Sequence, residues 1–204
     1  AAASSHITTI GPVTPPTAVA RNNSCHPSFI AFRSVVASAA STQLVAPERM
    51  PEGRVQFVEQ QAPEALWQPR WLAHANGVRA LACVFVVAED TVRTAARWAR
   101  FAALLPARAG GYVHLAAARG HVLVGPRAHW MALLGEAPAP PALAGYALEC
   151  DDANAFARHC ERAGLAPRRL RDQLFATTLP AALGGAWLFG TRGALSLDRG
   201  PHED

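Results

Sequence analysis

The feature that most constrains this chain is a repeat. An almost wholly apolar, β-branched run at Arg79–Ala88 leads into Glu89, Asp90 and Thr91, which supply N-cap chemistry for a helix through about Leu105. Two strand patterns follow, Gly111–Ala117 and Gly120–Val124, joined as a hairpin around Arg119 and Gly120. A brief helix at Ala128–Leu134 and a Pro-rich linker, Ala137–Pro141, close the unit, and the same order then begins again. Ala144–Cys150 reads as a strand. Asp151 and Asp152 cap a helix with Phe156, Cys160 and Ala163 on its core face, and Gly164 is placed to end it. Arg169–Thr177 and Gly185–Gly190 are the strands that follow. A βαββ module covers one sheet face with its helix and leaves the other bare, so two modules side by side bury that face by curling around a shared hollow. The expected fold class is therefore α+β: paired βαββ modules, 79–135 and 143–190, in a half-open barrel. In the first helix Val92, Ala96, Ala99 and Ala103 make the expected core stripe, and Arg93, Arg97 and Arg100 a solvated row.

Upstream the pattern is weaker. Residues 1–47 contain no Asp or Glu and hold no period of 2 or 3.6, so they read as a poorly structured leader. A targeting segment or a truncation product would both have this composition, and truncation is favoured. Alternation over 53–60 predicts a strand, and 61–77 a connector punctuated by Trp and Pro. Residues 48–78 are thus a remnant of an earlier module, and 191–204 a polar tail.

Composition removes several functions. All 19 basic residues are arginine, which excludes Schiff-base chemistry and a P-loop lysine. The net charge of +4 is not gathered into a stripe, so nucleic acid is not an expected partner. The longest apolar run, Ala80–Ala88, is far shorter than the ~20 residues a membrane helix needs, so no membrane is expected either. The four cysteines, Cys25, Cys83, Cys150 and Cys160, form no CxxC pair and read as reduced thiols of a cytoplasmic protein.

The segment Met50-Pro51-Glu52-Gly53-Arg54-Val55-Gln56-Phe57-Val58-Glu59, then Trp67-Gln68-Pro69-Arg70-Trp71, then His74 and Asn76-Gly77 before the first strand and helix, carry a resemblance. The chain resembles the vicinal oxygen chelate superfamily of glyoxalase, bleomycin-resistance and extradiol dioxygenase proteins, and more narrowly its bacterial glyoxalase-like members with two tandem domains. The likeness covers roughly residues 48–190. It implies a divalent metal held by His and Glu on the inner strands, acting as a Lewis acid on a small oxygenated organic molecule in a lyase, isomerase or dioxygenase. It also implies where ligands belong. A histidine about seven residues before each cap falls on Cys83 and Gly145, and a glutamate about four after the opening glycine of the last strand falls on Leu188 or Phe189. Three ligands are missing from those positions, so a divalent metal is allowed but disfavoured, and catalysis stays open.

Other residues offer partial sites. With a two-residue turn at Ala118 and Arg119, His114 and His121 are diagonal neighbours on one sheet face, roughly 7 Å apart at Cα; with a three-residue turn they face opposite sides. Such a pair could share a metal or act as acid and base. Glu59, on the remnant strand, is a third metal candidate, with Arg70 and His74 near it in sequence; an ion pair is the plainer reading. Trp67 and Trp71 read as packing residues, Pro69 breaking a regular helix between them. A metal-independent protein of the bleomycin-resistance type would instead trap a small molecule against Trp130, Phe175, Trp187 and Phe189, with Arg70 and His74 as polar contacts. A truncated, non-catalytic relative, allowed as a homodimer, is the third reading.

Overall fold

The structure is a computed structural model and describes residues 6–10, 40–60, 64 and 67–195; most of the leader and the end of the polar tail lie outside the described residues. The chain divides into two units, Ala1–Leu72 and Ala73–Asp204. In the first, β1 (His6–Ile10) and β2 (Ala40–Leu44) pair antiparallel with the two edges of β3 (Arg54–Gln60). The expected strand at 53–60 is therefore the middle of a three-stranded sheet, and two short strands lie within the stretch read as leader. Pro69 opens the single turn α1 (Pro69–Leu72), where its missing N–H costs nothing, so no regular helix spans Trp67 and Trp71, as expected.

The second unit is the repeat. Its first module comprises β4 (Val78–Val87), α2 (Thr91–Ala102), β5 (Pro106–Ala109), β6 (Tyr112–Ala116) and β7 (His121–Gly125). The helix α3 (Arg127–Leu134) leads to the second: β8 (Ala142–Cys150), α4 (Ala153–Arg162), β9 (Arg168–Arg171), β10 (Leu174–Thr178) and β11 (Ala186–Gly190). One curled, unclosed eight-stranded sheet results, in the order β5-β6-β7-β4-β8-β11-β10-β9. The modules meet where β4 pairs antiparallel with β8, and each closes on itself through a parallel pair, β4 with β7 and β8 with β11.

Both caps form as the sequence predicts. The Asp90 carboxylate accepts from the Arg93 amide at 2.8 Å, and that of Asp152 from the Asn154 and Ala155 amides at 2.9 and 3.2 Å. Gly164, with φ +79°, follows α4, and the Leu165 amide turns back to the Cys160 carbonyl.

Three local expectations are corrected. Each module carries one outer strand more than expected. In the first, β5 pairs with β6 through Gly110 and Gly111, both at positive φ as a tight hairpin requires. In the second, the run Arg169–Thr177 is two strands rather than one, turning at Asp172 and Gln173. Gln173 has φ +52°, and its side-chain carbonyl accepts from the Ala153 amide, so a contact with α4 holds a turn that no glycine announces. The core stripe of α2 is also rotated: Thr94, Ala95, Trp98 and Ala99 are buried, while Val92, Ala96 and Ala103 are exposed, because the bulk of Trp98 sets the seam.

Register assigns every side chain to a face. Val113, Leu115 and Val124 share one face with Phe189 and Phe175, and α2 and α4 cover it. The other, inner face carries Phe85, Leu123, Ala147, Ala176 and Leu188, and α3 packs on it with Trp130 and Leu134 fully buried.

Candidate functional site

The inner face is the hollow that the repeat predicts, and across both modules part of it is filled by the protein itself. The Trp130 indole lies 5.1 Å from the Phe85 ring between centroids and donates from Nε1 to the Val86 carbonyl at 2.8 Å. Glycine at 125 makes room for it, since a Cβ there would come within 3.0 Å of the indole. Arg168, reaching from β9, donates to the Leu133 carbonyl near the end of α3.

The positions where the resemblance implies metal ligands do not fit a metal. Cys83 is on the inner face but buried, and burial pushes its thiol far above the ordinary range; its Sγ donates to the Val84 carbonyl. Gly145 has φ +151°, and a Cβ on it would collide with the Ala186 carbonyl, so no liganding side chain can stand there. Leu188 and Phe189 are apolar and buried on opposite faces of β11. Among the described residues no group of three or more His, Cys, Asp or Glu side chains is placed to hold a metal ion.

At the first module the inner face stays more open and more polar. The Ala117 amide bonds to the Gly120 carbonyl at 3.0 Å, leaving a two-residue turn at Ala118 and Arg119. His114 pairs in register with Leu123 and His121 with Ala116, so both imidazoles stand on the inner face. His114 Nε2 lies 2.9 Å from His121 Nδ1, a hydrogen bond in which one ring donates and the other accepts. Tyr112 is two residues from His114 on the same face, 5.2 Å from the His129 ring and 6.2 Å from that of Trp130. Burial holds His129 below the ordinary histidine range. Two small, exposed side chains, Ala107 and Ala116, pair in register with His114 and His121.

The remaining sequence candidates do not converge. Trp130 belongs to the inner-face cluster, whereas Phe175, Phe189 and Trp187 pack with Phe156 under α4 on the opposite face. Trp130, Phe175 and Phe189 are buried, so these four rings do not wall one cleft. Arg70 stacks on the Trp71 ring at 4.7 Å, with Trp67 and Trp71 about half exposed, and His74 is exposed. Glu59 lies opposite Ser41 in the β2–β3 ladder, its side chain outside the described residues. Tyr112 and His129 are site residues that sequence reasoning missed; Tyr112 was visible as the inward neighbour of His114 at strand spacing, whereas His129 needed α3 to be folded onto the sheet.

No family model and no curated protein matches the chain. Among solved structures, it is similar to methylmalonyl-CoA epimerase from Mycobacterium tuberculosis, at 15% identity and TM-score 0.44, covering 61% of this chain and 95% of that one. A catechol 2,3-dioxygenase matches at 12% identity and TM-score 0.40 over 89% of this chain and 73% of its own. A glyoxalase/bleomycin resistance protein/dioxygenase from Nocardioides matches at 13% identity and TM-score 0.27, over 70% and 99%. The order and register of its own strands give the chain the paired βαββ fold in one curled, unclosed sheet that the sequence resemblance implies.

Proposed function

We propose that this chain is a metal-independent small-molecule binding protein of the bleomycin-resistance type, not a metal-dependent lyase, isomerase or dioxygenase. The observation that carries the reading is Gly145: at a position where a catalytic relative would place a ligand, the backbone lies so close to Ala186 that no side chain fits. The ligand site in this reading is the open part of the inner face, where Tyr112 and His114 are half buried and Ala107 and Ala116 leave space beside them. A phenol and two imidazoles over an apolar floor suit a small oxygenated molecule, which they would hold by hydrogen bonds while the floor excludes water.

Residence in the cytoplasm belongs to the same reading, supported by three free buried cysteines, Cys83, Cys150 and Cys160. No helix among the described residues is long and apolar enough to cross a membrane. A homodimer is its assembly, supported by β5, which ends the sheet among the described residues, beside Leu105, which is 88% exposed; sedimentation of the full chain measures it.

The test is thermal melting of chelator-treated protein against small carboxylates, phenols and hydroxy-ketones. The expected result is a saturable rise in Tm without added metal, abolished by Ala116→Trp, which fills the space beside the pair. Stoichiometric metal surviving the chelator, or a ligand response that requires added metal, overturns the reading.

A further inference from the structure

The His114–His121 pair stands apart from the positions at which the resemblance implies ligands, and its two ring nitrogens suit a second kind of guest, a metal ion. Two ring nitrogens on adjacent strands approach to 2.9 Å, one imidazole half buried and the other exposed. The hairpin fixes their backbones: a two-residue turn sets the register, and Gly120, with φ +96°, packs so tightly on the Ala82 carbonyl that a Cβ would come within 3.0 Å. Parallel pairing with β4 holds His121 beside Cys83. The pair is therefore preset rather than assembled by two floppy side chains.

We infer that His114 Nε2 and His121 Nδ1 form a two-imidazole chelate for a divalent transition ion, Cu²⁺ or Ni²⁺. Metal–imidazole bonds of about 2.0–2.1 Å need the two nitrogens about 2.9–3.4 Å apart, depending on the angle at the ion, and the hairpin already holds them hydrogen-bonded at 2.9 Å, within reach of one ion. On binding, the hydrogen bond between the rings breaks and both lone pairs turn to the ion; each ring keeps one proton, His114 on Nδ1 and His121 on Nε2, with no net proton release. Cys83, the neighbour of His121 in register, bonds instead to the Val84 carbonyl and is held protonated by burial, so the other coordination positions go to water or to a bound anion. For imidazole donors Cu²⁺ binds more tightly than Ni²⁺ or Zn²⁺.

The inference does not depend on the proposed organic ligand. Titrating the full chain with CuSO₄ and with NiCl₂ in a non-coordinating buffer at pH 7.5, by calorimetry, tests it. One equivalent of Cu²⁺ is expected, weakened at least tenfold in His114→Gln and in His121→Ala but retained in His74→Ala and His159→Ala. The Cu²⁺ electron paramagnetic resonance spectrum should show coupling to two nitrogens, reduced to one or none in either pair variant. His121→Ala, at an exposed position, keeps the test open if the other variant folds poorly. An equivalent of Cu²⁺ that survives in the double variant, no binding at millimolar ion, or a clear preference for Zn²⁺ over Cu²⁺ overturns it. The organic ligand is read on chelator-treated protein without added ion and the ion without organic ligand, so the two proposals fail separately.

Discussion

The Trp130 indole N–H donates to the carbonyl of Val86 at 2.8 Å, and through this bond the helix between the modules is fastened to the inner face of the sheet. Trp130 is fully buried, with Phe85, Leu134 and Ala144 in the same cluster. Trp130→Ala should therefore cost about 3–5 kcal/mol, the range for emptying a large aromatic site, measured by urea unfolding. Trp130→Phe keeps most of the packing and loses only the hydrogen bond, and should cost markedly less.

Glycine is required at two inner-face positions for different reasons. Gly125→Ala presses a methyl onto the indole and should cost about 1–3 kcal/mol, as other overpacked cores do. Gly145→Ala meets the Ala186 backbone, which cannot swing aside like a side chain, and should cost more than Gly125→Ala in the same unfolding experiment. Equal costs would show that β8 and β11 can separate locally.

The two helix caps predict smaller, matched losses. Asp90→Ala and Asp152→Ala each remove a carboxylate from amides at the start of a helix and should each cost about 1 kcal/mol. Asp152 accepts two such bonds and Asp90 one, so the second variant should be the more destabilised.

Burial lowers the folded pKa of His129 below its unfolded value. The unfolded chain therefore binds the proton first as pH falls. The stability this neutral ring contributes is complete above the ordinary histidine pKa of about 6.5 and is lost as pH drops through that value toward the folded one. His129→Gln should flatten the fall of the urea midpoint between pH 7 and pH 5; an unchanged slope would assign it to other groups.

The three buried cysteines, Cys83, Cys150 and Cys160, have their thiols pushed up by burial, Cys150 to about 11. Native protein treated with a thiol reagent at pH 8 should leave these three unlabelled by peptide mass spectrometry, and denaturant should expose all of them.

How much was legible varies by residue. Asp90 and Asp152 declared themselves because capping is settled within three residues of the cap. The inner-face approach of His114 and His121 was conditional on turn length, and the bond between Ala117 and Gly120 settles it. Pro106 and Arg108 hid β5 by interrupting apolar alternation, although Gly110-Gly111 was a hairpin signal. The aromatics misled because strand periodicity tells which residues share a face of one strand but not what lies over that face. Phe175 and Phe189 went under α4, and Trp130 to the other side.

By itself, the amino-acid order determined the repeat, its two caps, and the lack of histidine or glutamate at the positions where the resemblance implies ligands, since these depend on neighbours along the chain. Only the tertiary structure decided that α3 fills part of the hollow, that Gly145 bars any replacement ligand, and that two imidazoles meet at its open end. Each of those outcomes depends on pairings between strands distant in the chain, β4 with β8, β8 with β11 and β4 with β7, whose register no local pattern encodes.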